Sequence, residues 1–580
     1  MKKRNFRLRL LPVIAFTALI FLIVKADKYS FRLPDTSNLP FDDWAEVWDV
    51  FCGVKSSAIF AVTIWAVVTM AYLLISGKVR VKKTILYLPM AVYTVCVIVS
   101  CTVSDFKYIA WNGSVARFEG TRTIICYMFM LFYIINVVDE LRDAIIILSS
   151  VMAGVFVACI VGITQLAKHD FLLTDIAKRI VTGGGNFSLE GRFEAGQVYQ
   201  TVANMDYVGM YLSLVVPLLL TILYVCFSRN SRQKLLMLGI SDNKRIVMAI
   251  ATLVLLVMIA VNIYGAGSVG GWIGICTGIA ILLITTVSRK WLKAVLAVVF
   301  VTGAIVLLNS AYADSADTHK QIEYIETGID YIRLSLNGNE LDIIYDRYDN
   351  QYELVDGQGN SVPTFWFAEE EGRYQVDDPR FAGEITLVPL KDQNGTPCVV
   401  VDVKDEEFGF TFYEDGAKYL NPFGNEVELG VIDSVGFEGH LIAGSGRGYI
   451  WSRTIPLLKK HLLMGTGADT FMLVFPQDDY AGKYSSGSPL QVTCDKPHNM
   501  YLGMAVGTGI ISLLAFVSII AISLLRVFKS DEISIYAKSL VAGIIGFLVV
   551  GLFNDSSVCV MPMFYGLLGI VTALSGKKEG

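Results

Sequence analysis

DYVGMYLSLVVPLLLTILYVCF, residues 206–227, is the stretch from which the fold class is read. A run of this length and apolarity matches the roughly 20 residues a helix needs to cross the hydrocarbon core of a bilayer. Backbone polar groups find no water there, so the run must be helical. The rest of the 580-residue chain has the same character, with a mean hydropathy of +0.54 and 17% charged residues. Similar blocks lie upstream at about 10–24, 58–76, 84–104, 123–138 and 144–167. They continue downstream at about 246–264, 268–288, 294–309, 499–525, 537–553 and 558–575. The expected fold is therefore an all-α polytopic membrane protein with about twelve transmembrane helices. The net charge of −5 and pI near 5.7 carry no footprint for nucleic acid. The ten cysteines show neither CxxC nor zinc spacing and read as small packing residues.

Basic residues in short loops set the orientation. They cluster at Lys2–Arg9, at 78–83, between 229 and 245, at 289–293, at Arg526 and Lys529, and at Lys577 and Lys578. With twelve spans these all fall on one side, which places both termini in the cytoplasm of a plasma membrane and the largest polar region outside. Asp139–Asp143 is the weak link, since Arg142 is its only basic residue. The first block also resembles a signal peptide ending near Val24-Lys25-Ala26, but a retained helix has the same orientation.

That polar region interrupts the helical pattern after the ninth block. Residues 310–445 are acidic and rich in Tyr, Val, Ile and Gly. Tyr331–Leu336 alternates apolar and polar residues before Asn337-Gly338-Asn339; Asp356-Gly357 and Glu414-Asp415-Gly416 offer further turns. These are hairpin signals, and the segment reads as an extracytoplasmic β-rich insert. Its acidity argues against direct contact with anionic lipid; acceptor, glycan, partner or spacer roles all stay open. The expected organisation is helices one to nine over 1–309, the insert over 310–445, an outer catalytic loop over 446–498, and helices ten to twelve over 499–580.

Two segments flanking the tenth block carry candidate chemistry: SGRGYIWSRTIPLLKKHLLMGTGADTF at 445–471 and KPHNMYLGMAVGTGIISLLAF at 496–516. Guanidinium forks match phosphate oxygens, and Arg447 and Arg453, six residues apart, read as bracketing a diphosphate. Other outer loops add Lys107, Arg117, Arg122, Lys168, Lys178, Arg179 and Arg192. His498 stands at the mouth of a span, where a neutral imidazole makes a general base near neutral pH. Pro497 stiffens the approach, and Asn499 is placed to orient the ring or a sugar hydroxyl. Taken singly, such residues also serve as helix caps or snorkel to headgroups.

Together these residues resemble the O-antigen ligase and O-antigen polymerase superfamily. The likeness runs through Arg447-Gly448-Tyr449-Ile450-Trp451, Gly465-Thr466-Gly467-Ala468-Asp469-Thr470-Phe471 and His498-Asn499. Upstream it includes Trp111-Asn112-Gly113 through Arg117-Phe118-Glu119-Gly120, Gly162-Ile163-Thr164-Gln165, and Arg192 with Asn204, Tyr207, Gly209, Tyr211 and Pro217. It ends at Phe553-Asn554-Asp555 with Pro562 and Phe564. Many relatives carry Ser-Arg-Gly at the eighth span; here it is Ser268-Val269-Gly270, and the β insert is larger than a simple ligase needs.

The resemblance implies a metal-independent transferase without a cofactor. Its donor would be a glycan on a polyprenyl diphosphate, and its acceptor a hydroxyl of glycan, lipid or protein. It assigns catalysis to His498 and Arg447 and substrate binding to Arg192, Arg453, Arg117, Asn499, Asn204 and Asp469; Asp469 and Asp555 are candidates for orienting groups and equally for turn residues or helix caps. A polymerase would use the same donor. A transporter would need ionisable groups in mid-span and repeated halves, and a sensor would need a cytoplasmic effector region; the sequence offers neither.

Overall fold

The structure is a computed structural model and describes residues 7–32, 39, 44–184, 193–228, 241–313, 322–366, 372–381, 384–404, 406–528 and 534–575. Six of its helices are long and apolar enough to cross a membrane: Gly53–Ile75, Leu141–Leu166, Met205–Phe227, Asp242–Ala266, Val269–Thr286 and Ile510–Phe528. Four apolar helices are shorter: Tyr87–Val103, Thr121–Val137, Ile535–Val550 and Met561–Ser575. The ninth block lies within Lys290–Ala313. The first is an irregular helical run over 7–22, with Val13 and Phe16 fully enclosed by the bundle.

The tenth block is not one helix. It divides into Met500–Thr508 and Ile510–Phe528 at Gly509, whose φ of +86° reverses the local winding. The continuous span expected over 499–525 is thereby corrected to a short helix, a break and a longer helix. A second element that the hydropathy pattern does not show is the hairpin of β1 (Asp27–Arg32) and β2 (Trp44–Asp49) beside the first helix.

Met205–Phe227 is the hub. It is 72% buried, against 28–44% for the other five long spans, and packs on Asp242–Ala266, Val269–Thr286 and Ile535–Val550. Small residues allow that approach. A methyl group on Gly209 would lie 2.6 Å from the Cα of Gly271, so the two helices meet backbone to backbone. Within a membrane such close contact replaces the hydrophobic drive that water would otherwise supply.

Ion pairs gather at one end of the bundle. Arg9 lies 2.7 Å from Asp143, and Lys82 lies 3.1 Å from Asp139. The acidic run at 139–143 is thus neutralised by basic residues from the N-terminus and the first short loop. Thr121–Val137 runs from the opposite end, beside Glu119, to Val137, whose carbonyl accepts from Arg9. Its 17 residues span about 25 Å at 1.5 Å each.

The insert forms two antiparallel sheets. One orders β3 (Ile322–Thr327), β4 (Tyr331–Leu336), β5 (Asn339–Asp346) and β6 (Gln351–Asp356). The other contains β7 (Thr364–Trp366), β8 (Tyr374–Val376), β9 (Ile385–Lys391), β10 (Pro397–Val403), β11 (Glu406–Tyr413), β12 (Gly416–Leu420) and β13 (Glu426–Val427), each paired with its neighbour in sequence. The β4–β5 turn holds Asn337 and Gly338 at φ +52° and +76°, as an Asn-Gly hairpin requires. Ile332, Leu341, Ile343, Val399, Val401, Phe408 and Phe410 close one core, which Tyr480, Ala481 and Leu490 join from the loop beyond the insert. That loop also ties to the sheets directly. The Ser485 hydroxyl donates to the Ile322 carbonyl at 2.7 Å, and that of Tyr484 to the Val403 carbonyl at 3.2 Å.

Candidate functional site

The site is built from loops and helix starts. Gly444, Ser445 and Gly446 all have positive φ, so the chain turns sharply before the regular helix that begins at Arg447. This turn directs the Arg447 side chain to residues 553 and 554. Its Nε donates to the Phe553 carbonyl at 2.9 Å and its Nη1 to the Gly444 carbonyl at 2.7 Å. Asp206, in the first turn of Met205–Phe227, lies 3.8 Å from Nη2 and accepts from the Ser268 hydroxyl at 2.7 Å. The Asn554 amide nitrogen, turned toward it, donates to the same carboxylate at 3.2 Å.

His498 approaches the neighbouring residue. Its Nδ1 stands 3.4 Å from the Asp555 carboxylate, an ion-pair distance longer than a hydrogen bond. The His498 backbone is left-handed, with φ +49°. That conformation costs a residue with a Cβ roughly 1–2 kcal/mol and is held by the two residues after it. The Asn499 side chain caps the next helix, accepting from Tyr501 and Leu502 N–H, and the Met500 N–H donates to the carbonyls of Gly551 and Asn554. Burial lowers the proton affinity of the imidazole below that of an ordinary histidine; Lys496 and Arg447 add to this, and Asp555 opposes it. The ring is therefore neutral at neutral pH. Assigning the ring proton to Nδ1, the nitrogen on the Asp555 side, leaves Nε2 with the free lone pair.

Behind Asp555 is a second charge layer. Arg117 lies 2.9 Å from Asp469 and 3.8 Å from Asp555, with both carboxylates 2% exposed. Its loop is closed by two glycines: a Cβ on Gly113 would fall 2.5 Å from the Phe118 backbone, and one on Gly120 would fall 2.4 Å from the Gly113 nitrogen. The Asp469 carboxylate accepts from the N–H groups of Ser114 and Glu119 at 2.8 and 3.2 Å and so holds the loop. Burial raises the Asp469 carboxyl, with Arg117 offsetting part of the effect. Burial also pushes Glu119 up to about 7 despite Arg117 and the hydroxyl of Tyr127, which donates to it at 2.8 Å. Arg117, Glu119, Asp469 and Met500 line a small cavity of about 40 Å³ beneath the site.

The sequence-derived residues therefore separate into groups. Arg447 and His498 meet on the 553–555 segment, and Arg117 and Asp469 form the layer beneath. Asn204 and Asn499 are helix N-caps, each accepting backbone N–H bonds through its side chain. Arg453 does not bracket a diphosphate with Arg447. Six residues at 100° each place it some 240° around the helix, where it is buried and bound to Asp479 at 2.7 Å. Arg192 lies outside the described residues. Asp206 belongs to the site but was not singled out from sequence, because an acidic residue opening an apolar run reads as a favourable helix N-terminal charge.

Apolar helices joined around a part-buried Arg–His–carboxylate cluster define this chain as a membrane protein with a polar site at one end of its bundle. Residues 408–517, which include Arg447, Asp469 and His498, match the family model described as O-antigen ligase, and this supports membership of the O-antigen ligase superfamily. No curated protein matches the chain. The family points to glycosyltransferase-type activity in a membrane setting.

Proposed function

We propose that this protein transfers a glycan from a polyprenyl diphosphate to an acceptor hydroxyl on the outer face of the cytoplasmic membrane. The observation that carries the reading is the meeting of Arg447 and His498 on one short segment: the guanidinium on the Phe553 carbonyl and the imidazole beside Asp555. His498 Nε2 takes the proton of the attacking hydroxyl. The hydroxyl oxygen bonds to the anomeric carbon as the bond from that carbon to the diphosphate breaks. Arg447 offsets the charge that accumulates on the leaving diphosphate. Asp555 fixes the Nδ1–H tautomer and stabilises the imidazolium as it forms. Holding donor and acceptor in line removes much of the orientational cost.

The outward orientation is supported by the grouping of Arg9, Lys82 and Asp139–Asp143 at the end away from the site. Basic short loops mark the cytoplasmic side, so the site lies at the exterior lipid boundary, where sugar donors arrive on lipid. The experiment is transfer of lipid-linked glycan by His498→Ala and Arg447→Ala variants in membranes. Both are expected to lose transfer at normal protein levels; retained transfer in both would overturn the roles. Ligase and polymerase actions share this chemistry and differ in acceptor. Loss of long chains on deletion identifies a polymerase, and loss of attachment with chain length intact identifies a ligase.

A further inference from the structure

The insert contains a cleft of about 550 Å³ between its two sheets, within the size range of small-molecule sites. Tyr345 and Tyr352 line one wall with Asn350 and Gln351 at the turn between β5 and β6; Tyr374 and Lys391 lie on the facing sheet. Its place in the fold sets it apart from the reacting groups. The insert docks on the catalytic loop through the Val403 end of β10, whereas the cleft extends from the Pro397 end, beside Lys391, along the strand as far as Leu387, which is in register with Val401. At about 3.3 Å per residue the two ends of that strand are roughly 20 Å apart.

The chemistry of the lining runs against that of the module around it. Between residues 322 and 430, carboxylates outnumber basic side chains more than threefold. Among the described residues, however, the cleft lining holds no carboxylate and one charged group, the exposed Lys391. What remains is aromatic, amide and aliphatic. A sugar ring has the complementary character, with an apolar C–H face to lie on tyrosine and hydroxyls at its rim for amide donors and acceptors. A cationic partner would instead be drawn to the acidic faces elsewhere on the module.

We infer that this cleft is a second glycan-binding site, which holds a neutral or acidic oligosaccharide segment of the acceptor or growing chain away from the reacting atoms. The inference rests on the transferase reading for the presence of a glycan. Tethering the chain at a distance raises the effective concentration of its reactive end at Arg447 and His498.

The test uses the full chain in lipid nanodiscs, titrated calorimetrically with oligosaccharides released by mild acid from the lipid-linked glycans of the producing cells. Saturable binding is expected, weakened at least tenfold by Lys391→Glu and by Tyr352→Ala. Lys391→Glu changes an exposed side chain and should leave thermal stability unchanged. It should also leave turnover of the shortest acceptor unchanged while lowering the yield of long products. His498→Ala should bind the oligosaccharides as the wild type does. Absence of saturable binding, indifference to both cleft variants, or binding of an apolar peptide in place of the oligosaccharides would overturn the inference. Transfer that survives His498→Ala while cleft binding behaves as expected would instead sink the catalytic assignment alone.

Discussion

Replacing Asp555 by Asn removes one charge from the centre of the site and changes almost no volume. Asp555 is 2% exposed and 3.4 Å from His498 Nδ1, with Arg117 3.8 Å away on its other side. A pair of unit charges about 4 Å apart interacts by about 4 kcal/mol at the effective dielectric of a protein boundary. The His498 side chain is 32% exposed, and screening by water brings the useful part down to about 2 kcal/mol. On the proposed mechanism the carboxylate acts on the imidazolium that forms during transfer, so the loss falls on kcat, by roughly 30-fold. The pH profile should move as well. Asp555 raises the proton affinity of His498, so its removal lowers it further. The acid limb of kcat, which reports the neutral base, shifts to lower pH in Asp555→Asn. The assay is initial-rate transfer of lipid-linked glycan in membrane vesicles across the acid and neutral range. Arg117 keeps its 2.9 Å partner Asp469, so expression and melting should hold. A variant with wild-type kcat and an unmoved acid limb would refute the orienting role.

Three further substitutions probe the surroundings. Glu119 titrates near 7 in the fold but near 4.3 in an unfolded chain; the folded state holds the extra proton between these values, so stability falls as pH rises through that window. Glu119→Gln should therefore match the wild type near pH 4 and melt a few degrees higher near pH 8, as read by thermal unfolding in detergent. Arg453→Ala strands the buried Asp479, which should cost about 3–5 kcal/mol and lower the amount of folded protein while leaving the donor KM of the remainder unchanged. Gly113→Ala forces a Cβ to within 2.5 Å of the Phe118 backbone at φ +92°, displacing Arg117 and Glu119; transfer should fall at least tenfold with the protein still in the membrane.

Much of the architecture was legible in the chain because lipid imposes a simple rule. Blocks such as 206–227 can only be helices there, and Asn337-Gly338 between alternating runs can hardly avoid a hairpin. Helix breaks are harder to read: Gly509 interrupts an apolar run without altering its hydropathy, and only the packing around it shows that the run divides. The short β1–β2 hairpin left no signal strong enough to separate it from a polar loop.

The sequence by itself determined the membrane class, the acidic β insert, and the residue types able to carry transfer chemistry. Tertiary structure alone decided which of those residues share a site. It joined Arg447 and His498 through Phe553–Asp555, sent Arg453 into a buried pair with Asp479, and turned Asn204 and Asn499 into helix caps. The physical reason is that hydropathy and helical period act over neighbouring residues, whereas a charge is assigned its partner by which loops the packed helices bring within a few ångströms.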